Sequence, residues 1–239
     1  MKTIDYNELD IISYNHNSGS FAEIDKCIFN DEIYALKRFT NGKYLNGKRR
    51  KISELSGIND IHLITPKFWV KNKEGKNQYL AKFCDGDPLE FEKNTNVVAK
   101  LKHAKNLIEK MHSYKIIHGD LNISNLLFSG DEPFIIDFDN VSLNNSNVDI
   151  SSLNDYSADY IKRLGINKGL DVYLFNLLTY AILNETDYYR VRSNVLAKKY
   201  GVFDFKDGIK LCNLFSLEKG YSDSDYLIDM ISNEDAKSI

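Results

Sequence analysis

A short run of polar residues lies between two apolar runs at residues 116–128, IIHGDLNISNLLF. Among them, Asp120 carries a carboxylate that could orient a hydroxyl group and accept its proton. Asn125 follows in the same run, and Asp137 lies in the second strand of a predicted hairpin just beyond it. Amide and carboxylate oxygens are hard ligands that suit magnesium, which completes its shell with water and phosphate oxygens. The spacing therefore predicts a phosphate-handling metal site with a carboxylate base.

The first third of the chain must supply strands to such a site. It is rich in β-branched and aromatic residues with partial alternation, which is typical of strands. Residues 30–32, Asn-Asp-Glu, have the chemistry of a turn. A basic segment over 47–56 is compatible with a helix and ends before Gly57. The predicted strands cover residues 9–14, 22–29, 32–39, 67–71 and 78–83.

The periodicity changes in the middle of the chain. Apolar residues at three- and four-residue steps predict an amphipathic helix over 95–113, capped by Thr95 or Asn96. Residues 170–183 are apolar nearly all round, which predicts a buried helix, and a last helix is expected to begin at Ser222. Strands followed by helices indicate an α+β fold. Two further short strands are predicted at 125–129 and 133–138.

Bulk composition excludes several classes of protein. The 239 residues are 43% hydrophobic and carry a formal net charge of −3, which argues against a nucleic-acid-binding chain. Cys27, Cys84 and Cys212 are scattered without a C-x-x-C pair, so we expect a reducing cytoplasm and no zinc site. No signal-peptide core or membrane-length apolar run is present in the sequence, so no membrane partner is expected.

At its polar run the chain resembles the protein-kinase superfamily. HGDLNISN (118–125) is similar to the family's catalytic loop H-R-D-L-x-x-x-N, and DFD (137–139) is similar to D-F-G. Upstream, NSGSFAEI (17–24) resembles the glycine-rich loop, and YALK (34–37) resembles V-A-I-K. Downstream, DVYLF (171–175) resembles the start of the helix whose aspartate braces the catalytic loop. The motifs occur in the order that the family uses.

The resemblance, closest to bacterial and eukaryotic-like Ser/Thr protein kinases, implies an α+β fold of two lobes. A small antiparallel-sheet lobe (1–83) would bind nucleotide, and a larger helical lobe (84–239) would carry the catalytic loop. The implied activity is transfer of the γ-phosphate of ATP, with Mg²⁺, to a serine or threonine hydroxyl of a protein substrate. The implied catalytic residues are Asp120, Lys37 and Asn122, and the implied metal ligands are Asn125 and Asp137.

The same resemblance implies how the nucleotide is bound. Lys37 would reach the α- and β-phosphates, and Glu54 would pair with Lys37. Small or flat apolar side chains would sandwich the adenine, with Ala81 leaving the back of the slot open. The implied nucleotide-binding residues are Asn17, Gly19, Ile24, Ala35, Lys37, Glu54, Lys82, Cys84 and Leu127.

Three departures from the family pattern carry their own predictions. Gly119 replaces the arginine of H-R-D, so activity should not require a phosphorylated activation loop. Asn122 replaces a lysine of Ser/Thr kinases and brings no charge, so transition-state stabilisation should be weaker. Asp139 replaces the glycine of D-F-G, which removes a flexible joint.

Two alternatives stay open at this point. H-G-D-L with I-D-F-D is closer to aminoglycoside and choline phosphotransferases, which phosphorylate small molecules, although the glycine loop and DVYLF resemble protein kinases more. Asn122 and the altered glycine loop would also suit a pseudokinase that serves as a scaffold. The sequence does not indicate the oligomeric state.

Overall fold

The chain forms two compact units in a computed structural model. The first unit is Met1–Asp85 with Ile136–Asp139, and the second is Gly86–Ile135 with Asn140–Ile239. Helices accompany a six-stranded mixed sheet, so the α+β class is confirmed. The residues described by the structure are 1–18, 22–40, 48–71, 77–89, 96–144, 155–184, 187–191 and 226–230.

The sheet of the first unit contains the five predicted strands and one more. The extra strand, β1, pairs in parallel with β5, so the predicted antiparallel sheet is wrong for this pair. Only Ile4 of this strand is buried, and a four-residue strand with a single inward residue leaves no alternation to detect. The strands are β1 (Lys2–Asp5), β2 (Asp10–Ser18), β3 (Ala22–Phe29), β4 (Glu32–Phe39), β5 (Pro66–Lys71) and β6 (Asn77–Lys82), in the order β1-β5-β6-β4-β3-β2.

A tight turn between β3 and β4 sets the register of the sheet. Asn30 and Asp31 have φ of 49° and 61°, the left-handed conformation that two-residue hairpin turns need and that these residue types tolerate. The pairing that follows places Lys37 opposite Ile24 on one side and opposite Tyr79 of β6 on the other. Lys37 therefore lies in the middle of the sheet, between two neighbouring strands.

One short helix, α1 (Arg49–Leu55), packs on the Lys37 face of the sheet. Its inward residues Ile52 and Leu55 are fully buried, and Ser53 accepts a hydrogen bond from the Trp69 indole at 2.9 Å. These contacts explain why a segment with no side-chain cap at its N-terminus is helical in the folded protein.

The second unit is built on two long helices with short strands. All fifteen residues of the second long helix are buried, as its apolar sequence predicts. Asn96 precedes the first long helix without capping it, so of the two predicted caps this one is wrong, and its amide donates to Asp131 at 2.9 Å. Thr95 and Ser222 lie outside the described residues. The elements are β7 (Asp87–Pro88), α2 (Val97–Ser113), β8 (Ile116–Ile117), β9 (Leu126–Ser129), β10 (Glu132–Ile135), β11 (Ser142–Leu143), α3 (Asp155–Leu164), α4 (Gly169–Leu183) and a short helix, Leu227–Met230.

The short strands hold the polar run of residues 118–125 at both ends. Before it, β8 pairs with β11, and after it, β9 pairs with β10 and β7. Within the part of the chain that the structure describes, no helix combines the length and apolar character needed to cross a membrane.

Candidate functional site

In the first unit, Lys37 lies beside two carboxylates from much later in the chain. Its Nζ donates to Asp137 and, at 2.6 Å, to Oδ1 of Asp139. The hydroxyl of Tyr79, opposite Lys37 on β6, lies 3.4 Å from the same Asp139 oxygen and can donate to it. Lys37, Asp137 and Asp139 are called the ionic cluster below.

The members of the ionic cluster differ in their exposure to solvent. The side chain of Asp139 is 4% exposed and that of Lys37 is 13% exposed, whereas that of Asp137 is 39% exposed. A carboxylate buried like that of Asp139 is costly unless a cation and hydrogen bonds compensate it. Asp137, which keeps part of its hydration, can exchange Lys37 for water or a metal ion at lower cost.

Electrostatics couple the three groups. Burial alone would lower the pKa of Lys37, but the carboxylates of Asp137 and Asp139 outweigh it and raise that pKa well above the ordinary value. Partial burial, and then the like charge of Asp139, raise the pKa of Asp137 to about 7, while Lys37 acts in the opposite direction. Lys37 is therefore a permanent cation in this site.

The backbone at Asp137 adopts a left-handed conformation, with φ of 67°. Outside glycine, asparagine and aspartate adopt this conformation most readily, and it still carries a steric cost. The turn directs the chain from β10 into a single 3-10 turn, Phe138–Asn140, in which Phe138 is buried. Asp139 follows Phe138 into the protein interior.

Glu54 does not pair with Lys37, which corrects the sequence prediction. Its carboxylate accepts a hydrogen bond from Arg50, one helical turn earlier, at 2.8 Å. Both side chains are largely exposed on α1, which runs for only seven residues. The buried carboxylate beside Lys37 belongs to Asp139 instead.

The other predicted nucleotide-binding residues of the first unit lie on or next to the sheet. Ile24, on the neighbouring strand β3, and Ala35, on the same strand as Lys37, are partly buried. Lys82 contacts Glu32 at 2.5 Å, and Cys84 is half-buried. Backbone pairing places Asn17 opposite Ile24. Gly19 lies outside the described residues, and Leu127 is buried on β9 of the second unit.

In the second unit, Asp171 braces the start of the polar run, as the resemblance implies. Its carboxylate accepts hydrogen bonds from the backbone N–H groups of His118 at 2.9 Å and Gly119 at 2.8 Å. His112 of α2 contacts the same carboxylate through Nε2 at 2.9 Å. Asp171 is fully buried, so these partners compensate the cost of its burial.

Two amides hold the next part of the run. The Nδ2 groups of Asn122 and Asn125 donate to the backbone carbonyl of Asp120, at 3.0 and 2.9 Å. Asn122 also accepts from the backbone N–H of Ser124 at 2.8 Å. The amide of Asn122 therefore fixes the backbone shape of the run through two hydrogen bonds.

Two site residues were not predicted from the sequence. Asp139 was interpreted only as a replacement for the glycine of D-F-G, and His112 was given no role. His112 does extend the buried positions Leu101, Ala104 and Ile108 of α2 by one more step of four, which was a readable sign of burial. For Asp139 the sequence holds no such sign, because its partner Lys37 lies 102 residues away.

The predicted metal ligands belong to different units, Asp137 to the first and Asn125 to the second. Carboxylate and amide oxygens are each the kind of ligand that Mg²⁺ prefers. Within the described ranges, no group of three or more His, Cys, Asp or Glu side chains could hold a metal on its own.

Comparison with known proteins adds no family to this description. No protein-family model matches the chain, and a search of curated proteins returned no match. The function must therefore be argued from the residues of the two units.

Proposed function

We propose that this protein is an ATP- and Mg²⁺-dependent phosphotransferase of the protein-kinase type, which transfers the γ-phosphate of ATP to a serine or threonine hydroxyl of a protein. Lys37 contacts the α- and β-phosphates, Asp120 accepts the proton of the hydroxyl, and Asn125 and Asp137 hold the metal. The observation that supports this most is the ionic cluster, in which Lys37 contacts the aspartate that the D-F-G resemblance singles out.

The ionic cluster fits what phosphoryl transfer asks of a protein. The transferring group is highly charged, so catalysis consists mainly of placing a cation and metal ions around the phosphates. Lys37 is a permanent cation fixed on a strand, and Asp137 is a carboxylate that can exchange its lysine contact for a metal ion. Asp137 and Asn125 would hold Mg²⁺, which would supply positive charge that neutralises the charge developing on the transferring group.

The polar run fits the second requirement, a positioned base. The backbone of Asp120 is fixed from the N-terminal side by Asp171 and from the C-terminal side by the two asparagine amides. A base held in this way loses little freedom when the hydroxyl arrives, which is how orientation accelerates a reaction.

The proposal extends to the architecture and the cellular setting. The first unit, built on the sheet, corresponds to the nucleotide-binding lobe of a kinase-like fold, and the helical second unit corresponds to the catalytic lobe. A cytoplasmic setting is proposed from the cysteines, which are scattered along the sequence without a C-x-x-C pair.

A small-molecule kinase is the second candidate, and Gly119 favours it. This residue has φ of 75°, a conformation that glycine adopts without strain and other residues rarely adopt. The backbone conformation at position 119 therefore favours glycine, which gives the H-G-D form of the run. H-G-D-L is the form shared with the aminoglycoside and choline phosphotransferases.

Radiolabelled ATP distinguishes the candidates. Purified protein is incubated with ATP and Mg²⁺, with a generic protein substrate or with a panel of aminoglycosides and aminoalcohols, beside the Asp137→Ala variant. Label on protein, lost in the variant, supports the proposal. Label confined to a small molecule supports the second candidate. If wild type and variant give equal label, the protein is not a phosphotransferase.

A further inference from the structure

The carboxylate that stabilises Lys37 comes from an unexpected place. In the family that the sequence resembles, this lysine is paired by a glutamate on a helix, and Glu54 on α1 was the expected residue. Here Glu54 contacts Arg50, and the least exposed carboxylate beside Lys37 is that of Asp139. Asp139 stands where the family has glycine, so its side chain is an addition to the usual set.

The two carboxylates of the ionic cluster are suited to different tasks. Asp139 is buried, is 2.6 Å from Nζ of Lys37 and is within reach of the Tyr79 hydroxyl. Losing Lys37 would leave a buried charge without its cation, which is strongly unfavourable. Asp137 is partly hydrated, so it can leave Lys37 when a metal ion is present. The difference in burial therefore makes the contact of Lys37 with Asp139 permanent and its contact with Asp137 exchangeable.

We propose that Asp139 is the positioning residue for Lys37, in place of a helical glutamate; the inference rests on the phosphotransferase function proposed above. The lysine is then held by the segment Ile136–Asp139, which also carries the metal ligand Asp137. Lys37 is anchored independently of α1, so a shift or local unfolding of that helix would leave the cation in place. This kinase-like site would lack the helix-controlled switch that the lysine–glutamate pair provides.

Chemical labelling of Lys37 tests the anchor without nucleotide. Wild type, Asp139→Asn, Asp139→Glu and the matched control Glu54→Gln are treated with an amine-acylating reagent, and acylation of Lys37 is measured by peptide mass spectrometry. Loss of one charge-assisted hydrogen bond should raise the acylation rate of Lys37 about tenfold in Asp139→Asn. Glu54→Gln should stay within about twofold of wild type, because its carboxylate is exposed and contacts Arg50, and Asp139→Glu should recover part of the protection.

Nucleotide binding then connects the anchor to function. Titration with a fluorescent ATP analogue and Mg²⁺ should show about tenfold weaker binding for Asp139→Asn, with Glu54→Gln unchanged. In a Lys37→Met background, Asp139→Asn should weaken binding no further, since the lysine that it positions is gone. A purely structural role of Asp139 would weaken binding in both backgrounds.

The outcomes separate the inference from the proposed function. Equal labelling of Lys37 in wild type and Asp139→Asn, or an increase in Glu54→Gln alone, would overturn the inference. Increased labelling together with no ATP binding by the wild type would support the anchor and refute the phosphotransferase. If Asp139→Asn does not fold, the pairing is tested by urea unfolding in the Lys37→Met background. The double variant Lys37→Met/Asp139→Asn should then unfold at a higher urea concentration than Lys37→Met. A lower unfolding midpoint for the double variant would overturn the pairing.

Discussion

The ionic cluster of the first unit and the polar run of the second are built from similar residues by different means. In the ionic cluster, side-chain charges contact each other directly across a hundred residues of sequence. In the polar run, side chains mainly contact backbone groups, and most partners lie within five residues. The first arrangement depends on a balance between three side-chain charges, whereas the second fixes the shape of the backbone.

The two regions should respond differently to mutation. The polar run depends on one buried carboxylate, Asp171, that satisfies two backbone N–H groups and His112. The ionic cluster depends on a balance between one cation and two carboxylates. Loss of Asp171 should therefore leave buried hydrogen-bond donors without an acceptor. Loss of a cluster member should instead leave the remaining charges of the cluster unbalanced.

The largest effect is expected for Asp171→Ala. The change leaves two buried N–H groups and a buried imidazole without their acceptor, which should lower the free energy of unfolding by about 4–5 kcal/mol. Urea unfolding monitored by circular dichroism measures the loss. Asp131→Ala, at an exposed aspartate, should cost less than about 1 kcal/mol. Similar losses in the two variants would remove the special role of Asp171.

Lys37→Met is expected to have the next largest effect. The carboxylate of Asp139 would stay buried without its cation, and stability should fall by about 3 kcal/mol. Lys82→Met is the matched control, since Lys82 pairs with Glu32 on the same sheet but in solvent, and should cost less than about 1 kcal/mol. If both variants unfolded at the same urea concentration, the ionic cluster would be no more than a surface pair.

A smaller effect, dependent on pH, is expected for Asp137→Asn. The pKa of Asp137 is raised to about 7 in the folded protein, so folding takes up a proton and ionisation of this group destabilises the fold. The wild type should lose stability as pH rises from about 4 to about 7. The variant should therefore be more stable than wild type at pH 8, with the difference gone near pH 4. Thermal unfolding across this range measures it, and a constant difference would contradict the raised pKa.

The smallest effect is expected for Asn122→Ala. It removes one hydrogen bond to the Asp120 carbonyl and one from Ser124, which together should cost about 1 kcal/mol of stability. Phosphotransfer should fall less than about tenfold, because Asn125 still contacts the same carbonyl. A loss of several hundredfold in kcat at unchanged stability would instead make Asn122 a direct participant in the reaction.

The same contrast explains what the sequence could predict. The polar run, the five main strands and the buried helix α4 depend on local pattern, and each appears near its predicted bounds. The partner of Lys37 depends on which carboxylate is buried beside it in three dimensions, and that information is absent from any short window. The capping role given to Asn96 was wrong and β1 was missed for the same reason, since a neighbouring element determines their contacts.

The left-handed backbone at Asp137 has a consequence for directed evolution. Glycine adopts φ of 67° without the steric cost that aspartate carries, and it would also relieve the repulsion between two carboxylates. A selection for thermal stability alone should therefore enrich glycine at position 137, even though the proposed metal ligand would be lost. Conversely, retention of aspartate under such a selection would indicate that activity was being selected as well.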